Sequence, residues 1–366
     1  MYKKKIMGLF STKKNVGLDI GSKSIKIVAL NNKGSRYELI DWQIVELPEE
    51  IVSIETPLEK RNLTITEVIK DIFLKNKKLS KKVGISVAGP SVVIRYIKLP
   101  IMTKEELSKS ISLEVEPFIP FPLSDVYLGF DIIGEVIDEG IKKNEIVIVA
   151  AKKELIDSRL DLLKQLKLTP RFIDVDSFVL ERVVGYNYDI SNEVVCVINI
   201  GANVTNVNII ENGTTKICRD LSLGMYYIIN EIKKTTQLSP KDIVNYFKTD
   251  GLILTDQKKE EYILQDKKLE LNISKIISSL LKEFVAEIRK IMDFYYFQKG
   301  EQKPISRIFL NGGGCIINDV DVYFNNEFKI NVEILDPFKN VDNSEDVPKE
   351  VRPILSVAVG LAMRYK

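Results

Sequence analysis

Two stretches about 180 residues apart share one pattern, and that repetition limits the available folds more than any other feature of the chain. Val16-Gly-Leu-Asp-Ile-Gly-Ser-Lys-Ser-Ile-Lys-Ile-Val-Ala-Leu alternates into a Gly-Ser turn and out again. Val194-Val-Cys-Val-Ile-Asn-Ile-Gly-Ala-Asn-Val-Thr-Asn-Val-Asn-Ile-Ile does the same. Apolar alternation on both sides of a tight glycine turn predicts a β-hairpin. Two such hairpins predict an α/β protein of two similar halves, one starting near Val16 and one near Val194.

The intervening sequence fills in the halves. Tyr37 to Leu47 predicts a third strand, Thr64 to Asn76 a helix capped by Thr64 or Thr66, and Val83 to Ala88 another strand. A compact unit follows: strand Val92 to Leu99, helix Thr103 to Glu116, and strands Val126 to Ile133 and Glu145 to Ala151. Thr103-Lys-Glu-Glu matches a capping box, and Pro117, Pro120 and Pro122 stop the helix. A helix from Lys153, a strand to Val175 and a helix from Ser177 complete the first half. Apolar residues at helical spacing over Gln257 to Lys299 predict a long helical region, Ser306 to Asn311 a strand, and Ile354 to Tyr365 a helix whose Ala358, Gly360 and Ala362 allow close packing. The expected organisation is a basic arm over residues 1–14, a first half from 15–85 and 153–190, an inserted unit at 86–152, a second half from 191–240 and 300–366, and a helical unit at 241–299.

Composition removes whole classes of chemistry. There is no histidine, which excludes Ser-His-Asp and Cys-His nucleophiles and the commonest transition-metal ligand. Cys196, Cys218 and Cys315 are odd in number and far apart, so they read as reduced thiols. With 53 basic against 51 acidic residues no overall field draws the chain to nucleic acid or to a membrane. No stretch approaches the roughly 20 apolar residues of a membrane span, and the expected location is the cytoplasm.

Chemistry concentrates at three glycine features that each follow a predicted strand: Asp19-Ile-Gly-Ser-Lys, Asn199-Ile-Gly-Ala-Asn-Val-Thr and Asn311-Gly-Gly-Gly. Polyphosphate binding needs backbone N–H groups aimed from tight turns, with glycine allowing close approach. Asp19 stands between Leu18 and Ile20 on a buried strand, a costly place for a carboxylate unless it serves a cation. Lys23 reads either as a phosphate ligand or as an exposed turn residue.

Taken in this order, the three features resemble the actin, sugar-kinase and heat-shock-chaperone superfamily. Within it the chain is most similar to the PilM family of type IV pilus assembly. The segments that carry the likeness are Val16-Gly-Leu-Asp-Ile-Gly-Ser-Lys-Ser-Ile-Lys, Leu113-Glu-Val-Glu-Pro-Phe-Ile-Pro-Phe-Pro and Glu287-Ile-Arg-Lys-Ile-Met-Asp-Phe-Tyr. The resemblance implies an actin-like ATPase fold with a central cleft for ATP and Mg2+ and an inserted subdomain shared with the division protein FtsA. Asp19, Gly21, Ser22 and Lys23 would line one side of that cleft, Gly201, Asn203 and Thr205 the other, and Gly312, Gly313 and Gly314 the adenosine. Asp19 would position phosphate and reach magnesium through water.

Asn199 stands where the family commonly has an acid. Since an amide is a poorer ligand for a hard cation, hydrolysis is expected to be slow or absent. The implied role is a cytoplasmic scaffold that binds the N-terminal tail of a PilN-like membrane protein, meets other pilus assembly proteins, reaches the membrane only through its partner, and is open to self-association. Ile119, Pro120, Phe121 and Pro122 read either as a helix terminator or, by the resemblance, as one lip of the tail's groove. An FtsA-like division protein and a small-molecule kinase are the alternatives. The first is disfavoured because FtsA usually ends in a membrane-binding helix, and the second because no sugar pocket is evident.

Overall fold

The structure is a computed structural model that describes residues 14–53, 56–77, 79–299 and 303–364. The expected basic arm lies outside the described residues except for Lys14, which opens β1 (Lys14–Ile20). β1 turns into β2 (Ser24–Asn32) and that into β3 (Tyr37–Glu46), an antiparallel meander with Val16, Leu18, Ile25 and Ile27 fully buried.

Helix α1 (Leu58–Lys75) begins directly after Pro57, well before the expected threonine cap. Thr64 and Thr66 lie inside it, donating to the carbonyls of Lys60 at 3.2 Å and Asn62 at 2.7 Å. A hydroxyl that bonds one turn back satisfies itself within a helix as well as at its start, which is why threonine alone misplaced the boundary. β4 (Lys82–Val87) then pairs parallel to β1.

Chain β5 (Val92–Pro100), α2 (Lys104–Val115), β6 (Val126–Asp138) and β7 (Ile141–Lys152) form a separate antiparallel sheet of order β5-β7-β6 with α2 on one face. The expected capping box is present: Glu106 N donates to Thr103 Oγ1 at 3.2 Å and Thr103 N to Glu106 Oε2 at 2.8 Å. β6 and β7 run several residues further than their apolar patterns, meeting at Glu139 and Gly140, both at positive φ. Two left-handed residues suit the twist of a tight hairpin, and the extension is solvated, so burial left no trace of it in the sequence.

The chain returns through α3 (Lys153–Gln165), β8 (Thr169–Val175) and α4 (Asp176–Asn187). The second half repeats the plan with β9 (Val194–Ile200), β10 (Thr205–Glu211) and β11 (Thr214–Leu221), then α5 (Met225–Thr236) and α6 (Pro240–Thr249). The expected long helical region is two helices, α7 (Asp256–Leu264) and α8 (Lys268–Lys299), parted where Asp266 takes positive φ. The rest is β12 (Arg307–Asn311), α9 (Val320–Phe328), β13 (Asn331–Ile334), β14 (Val341–Asp342) and α10 (Ser356–Met363).

The two large sheets run β14-β3-β2-β1-β4-β8 and β11-β10-β9-β12-β13. Apart from the short β14 they share one design, an antiparallel meander followed by two parallel strands. α4 and α10 lie between them: Val28 and Leu30 of one sheet and Val195, Val197 and Phe309 of the other share a core with Val179, Val183, Val359 and Leu361. Contact there is close enough that a Cβ on Gly360 would sit 2.6 Å from the Val179 carbonyl oxygen. Pseudo-repetition therefore places the turns of both hairpins about one shared helical layer.

Candidate functional site

The hairpins superimpose in register as well as in order. Ile20 faces Ile25 and Asp19 faces Lys26 across the first; Ile200 faces Thr205 and Asn199 faces Asn206 across the second. Each turn thus holds four residues, and position by position an ion pair in one half corresponds to an amide pair in the other.

In the first hairpin Lys26 Nζ lies 3.0 Å from Asp19 Oδ2, with both side chains largely buried. Asp19 does have a cation, and it is this lysine. Lys23 points elsewhere, 3.6 Å from the exposed Glu46 and itself partly exposed. A Cβ on Gly21 would stand 2.9 Å from Lys26 Nζ and from the Ser24 carbonyl, so glycine keeps the turn close over the ion pair.

The second turn is held from below by α5. Met225 N donates to the Gly201 carbonyl at 2.9 Å and Tyr226 N to the Ala202 carbonyl at 2.8 Å, using amides that a helix start leaves unpaired. Asn203 reaches across to the first half, its Nδ2 2.9 Å from the Val52 carbonyl. Thr205 is fully buried and its hydroxyl donates to the Leu223 carbonyl at 2.8 Å. Asn199 donates to Asn206 Oδ1 at 2.9 Å, Asn206 donates to Asp220 Oδ1 at 2.6 Å, and Gly89 N donates to Asp220 Oδ2 at 2.5 Å. This polar seam runs from the hairpin to the segment that leads into the small sheet.

The triple glycine abuts the second hairpin. Gly312 has φ +84°, and a Cβ there would overlap Asn199 Oδ1 and sit 2.7 Å from the Ile200 carbonyl; on Gly314 it would meet the Ile200 side chain at 2.6 Å. Glycine at these two positions lets the strand end pack directly against Asn199 and Ile200. Next to it, Asn311 is buried with both polar atoms of its amide unpaired.

Asp176 stands at the start of α4. Burial first, then the nearby Asp19 charge, pushes its carboxyl up to about 7, while Ser86 and Lys26 act in the opposite sense. Asp220 is raised as well, by burial. A carboxyl raised above its unfolded value costs stability once pH passes that value, near 4, and the loss is complete above its folded value. Asp176→Asn is therefore expected to flatten the decline in melting temperature between about pH 4 and pH 7. An unchanged profile in a melting series would refute it.

The thiols carry no comparable signal. Cys196 and Cys218 are free and buried, each pushed up to about 12 by burial, and Cys315 is free and partly exposed.

At the small subdomain, Ile119 is buried in the core beneath α2, Phe121 packs partly against that core under the Lys152 ammonium 4.8 Å from its ring, and Pro120 and Pro122 are exposed. Among the described residues no helix is long and apolar enough to cross a membrane.

The chain resembles the solved PilM-PilN type IV pilus biogenesis complex at TM-score 0.78 and 21% identity, covering 96% of this chain and 98% of the other. It resembles the ethanolamine utilization protein EutJ of Carboxydothermus hydrogenoformans at 0.53 and 10%, covering 95% and 89%, and MreB5 of Spiroplasma citri at 0.52 and 12%, covering 96% and 95%. These likenesses show the fold, the actin-like one expected from the paired hairpins. The profile of the type IV pilus assembly protein PilM matches residues 17–366, nearly the whole chain, and the chain therefore belongs to the PilM family.

Proposed function

We propose that this chain is a cytoplasmic, nucleotide-binding scaffold of type IV pilus assembly that docks the tail of a PilN-like membrane protein. The observation that carries the reading is the pair of register-matched hairpins, the second bonded to the first half through Asn203 and the Val52 carbonyl and the first fitted with a buried Asp19–Lys26 pair at its turn. Support for the partner comes from family membership and from the solved PilM-PilN complex; support for a nucleotide comes from the similar MreB5, solved with AMPPNP.

The residues present suit ATP. Lys26 would face the terminal phosphates beside Gly21 and Ser22, Gly201 and Asn203 would approach from the opposite turn, and the strand end at Gly312 to Gly314 would lie near the adenosine. Lys26 would share the role expected of Lys23, and Thr205, whose hydroxyl donates to the Leu223 carbonyl, would hold the turn. Among the described residues no group of three His, Cys, Asp or Glu side chains is placed to hold a metal. Magnesium would arrive with the nucleotide, Asp19 reaching it through water. With an amide at Asn199, hydrolysis would be slow or absent.

Calorimetry of magnesium-ATP tests the cleft: Lys26→Met should weaken binding about tenfold to a hundredfold, the worth of one charge-assisted contact. Equal affinity would remove Lys26 from the site. Fluorescence anisotropy of a labelled PilN-type tail tests the scaffold, with Phe121→Ala expected to weaken binding about tenfold, as truncation of a buried aromatic anchor does. Equal binding by both proteins would exclude this lip.

A further inference from the structure

The turns that lead into β4 and β8 lie side by side and concentrate charge of one sign. β1, β4 and β8 run parallel, so their starts share one end of the sheet, and α1 and α3 finish there. Thr169 N donates to the Lys81 carbonyl at 2.8 Å, and Leu79 and Leu168 are buried in one core beneath the two turns. The first turn exposes Lys75, Lys77, Lys81 and Lys82, and the second Lys164, Lys167 and Arg171. Neither stretch, 73–82 or 164–171, contains an acid. Seven exposed cations thus share one face of a chain whose basic residues outnumber its acids only 53 to 51.

Local partners do not account for them. Among the described residues Lys75, Lys77, Lys81, Lys164 and Lys167 make no ion pair. Asp71 and Asp161 stand about a turn back on α1 and α3, and Asp41, which borders Lys75 and Lys77, accepts from the Asn76 amide. Only Lys75 and Lys164 occupy last helical turns, where a helix dipole favours a cation. The other five have no such reason to be there, and like charges crowded together repel unless an opposing surface neutralises them.

Six of the seven are lysines, point charges on flexible stems, which suit a diffuse negative surface better than a shaped ligand. Nucleic acid would call instead for arginine forks and stacking aromatics. The large apolar side chain exposed among them is Leu74, 61% exposed, able to enter a headgroup layer. Lys14 opens β1 at the same end, and the sequence before it carries Lys3, Lys4, Lys5 and Lys13 with no acid, so the preceding chain joins this face with charge of the same sign.

We propose that this end of the first half docks on an anionic membrane, its lysines against acidic lipid headgroups. The idea goes beyond a scaffold tethered by its partner's tail and does not rest on it. If vesicles bind the chain and the tail does not, the scaffold reading fails and this one stands.

The test is co-sedimentation of the full chain at low salt with vesicles of phosphatidylcholine and phosphatidylglycerol in equal parts, and with vesicles of phosphatidylcholine alone. Wild type should bind the anionic vesicles only. Each lysine near an acidic surface is worth about fivefold in partition, so Lys75→Gln/Lys77→Gln/Lys81→Gln/Lys164→Gln should bind at least about tenfold more weakly. Lys241→Gln/Lys248→Gln/Lys275→Gln/Lys282→Gln removes the same charge from exposed positions in the second half and should stay within about twofold of wild type. Failure of wild type to bind, equal binding to both kinds of vesicle, or equal loss in the two variants would overturn the proposal. So would unchanged binding by the first variant, which would place the attraction elsewhere. Displacement of the vesicles by a short DNA duplex that the first variant no longer binds would assign the face to nucleic acid instead.

Discussion

Asp174→Ala should lower stability by about 3 kcal/mol, because that carboxylate ties the last helix to the first half and nothing else nearby can replace it. Its side chain is only 6% exposed, with Arg364 Nη1 at 2.7 Å and Arg182 Nη2 at 3.2 Å, and the Val175 amide donates to its other oxygen at 2.9 Å. Arg182 also donates to the Gly360 carbonyl at 3.1 Å, and Arg364 lies over the Phe172 ring. Removing the acid leaves two cations beside α10 and one buried amide without an acceptor. The figure sits at the low end for a broken buried pair because both arginines are partly exposed and can turn to water. Denaturant unfolding measures it, and a change below about 1 kcal/mol would show that the arginines hold α10 without Asp174.

How far the sequence reveals this molecule depends on which force writes each feature. Burial writes period and composition, so the two hairpins, the small subdomain's order and the packing helix were legible, as was the Thr103 capping box, whose chemistry is local. Solvated extensions such as the far ends of β6 and β7 leave no such mark. The start of α1 was misplaced because threonine serves helix interiors as well as caps.

At the site, Lys26 is legible in the sequence, since a four-residue turn and strict alternation put it opposite Asp19. Asp176 is not, since its closeness to Asp19 is created by packing elements far apart in the chain, whereas Asp220 lies opposite Asn206 across the β10–β11 hairpin. Asn199 was legible as a departure from a family pattern but not as a member of a hydrogen-bonded seam, and the seam gives the amide a physical reason to be there.

That reason predicts the second large effect: Asn199→Asp should cost about 3 kcal/mol at neutral pH. Every donor in the seam points toward Asp220: Asn199 donates to Asn206, and Asn206 and Gly89 donate to the carboxylate. A carboxylate at 199 has no proton to give. Either its oxygen faces Asn206 Oδ1, or Asn206 turns over and Asp220 loses its donor, and in both cases a buried acid is short of one hydrogen bond. Burial and the nearness of Asp220 would raise the new acid's folded pKa above the unfolded value of about 3.9. The penalty should therefore appear as pH rises past about 4 and be complete above the folded pKa. At lower pH the protonated acid can donate to Asn206 and restore the chain. Stability measured in denaturant across this range, variant against wild type, decides the point, and a difference independent of pH would discard the seam as the explanation. Repeating the series with magnesium-ATP separates structure from ligand: recovery at neutral pH would mean that the carboxylate has met a cation, whereas a persistent penalty would leave the seam as the reason this position is an amide.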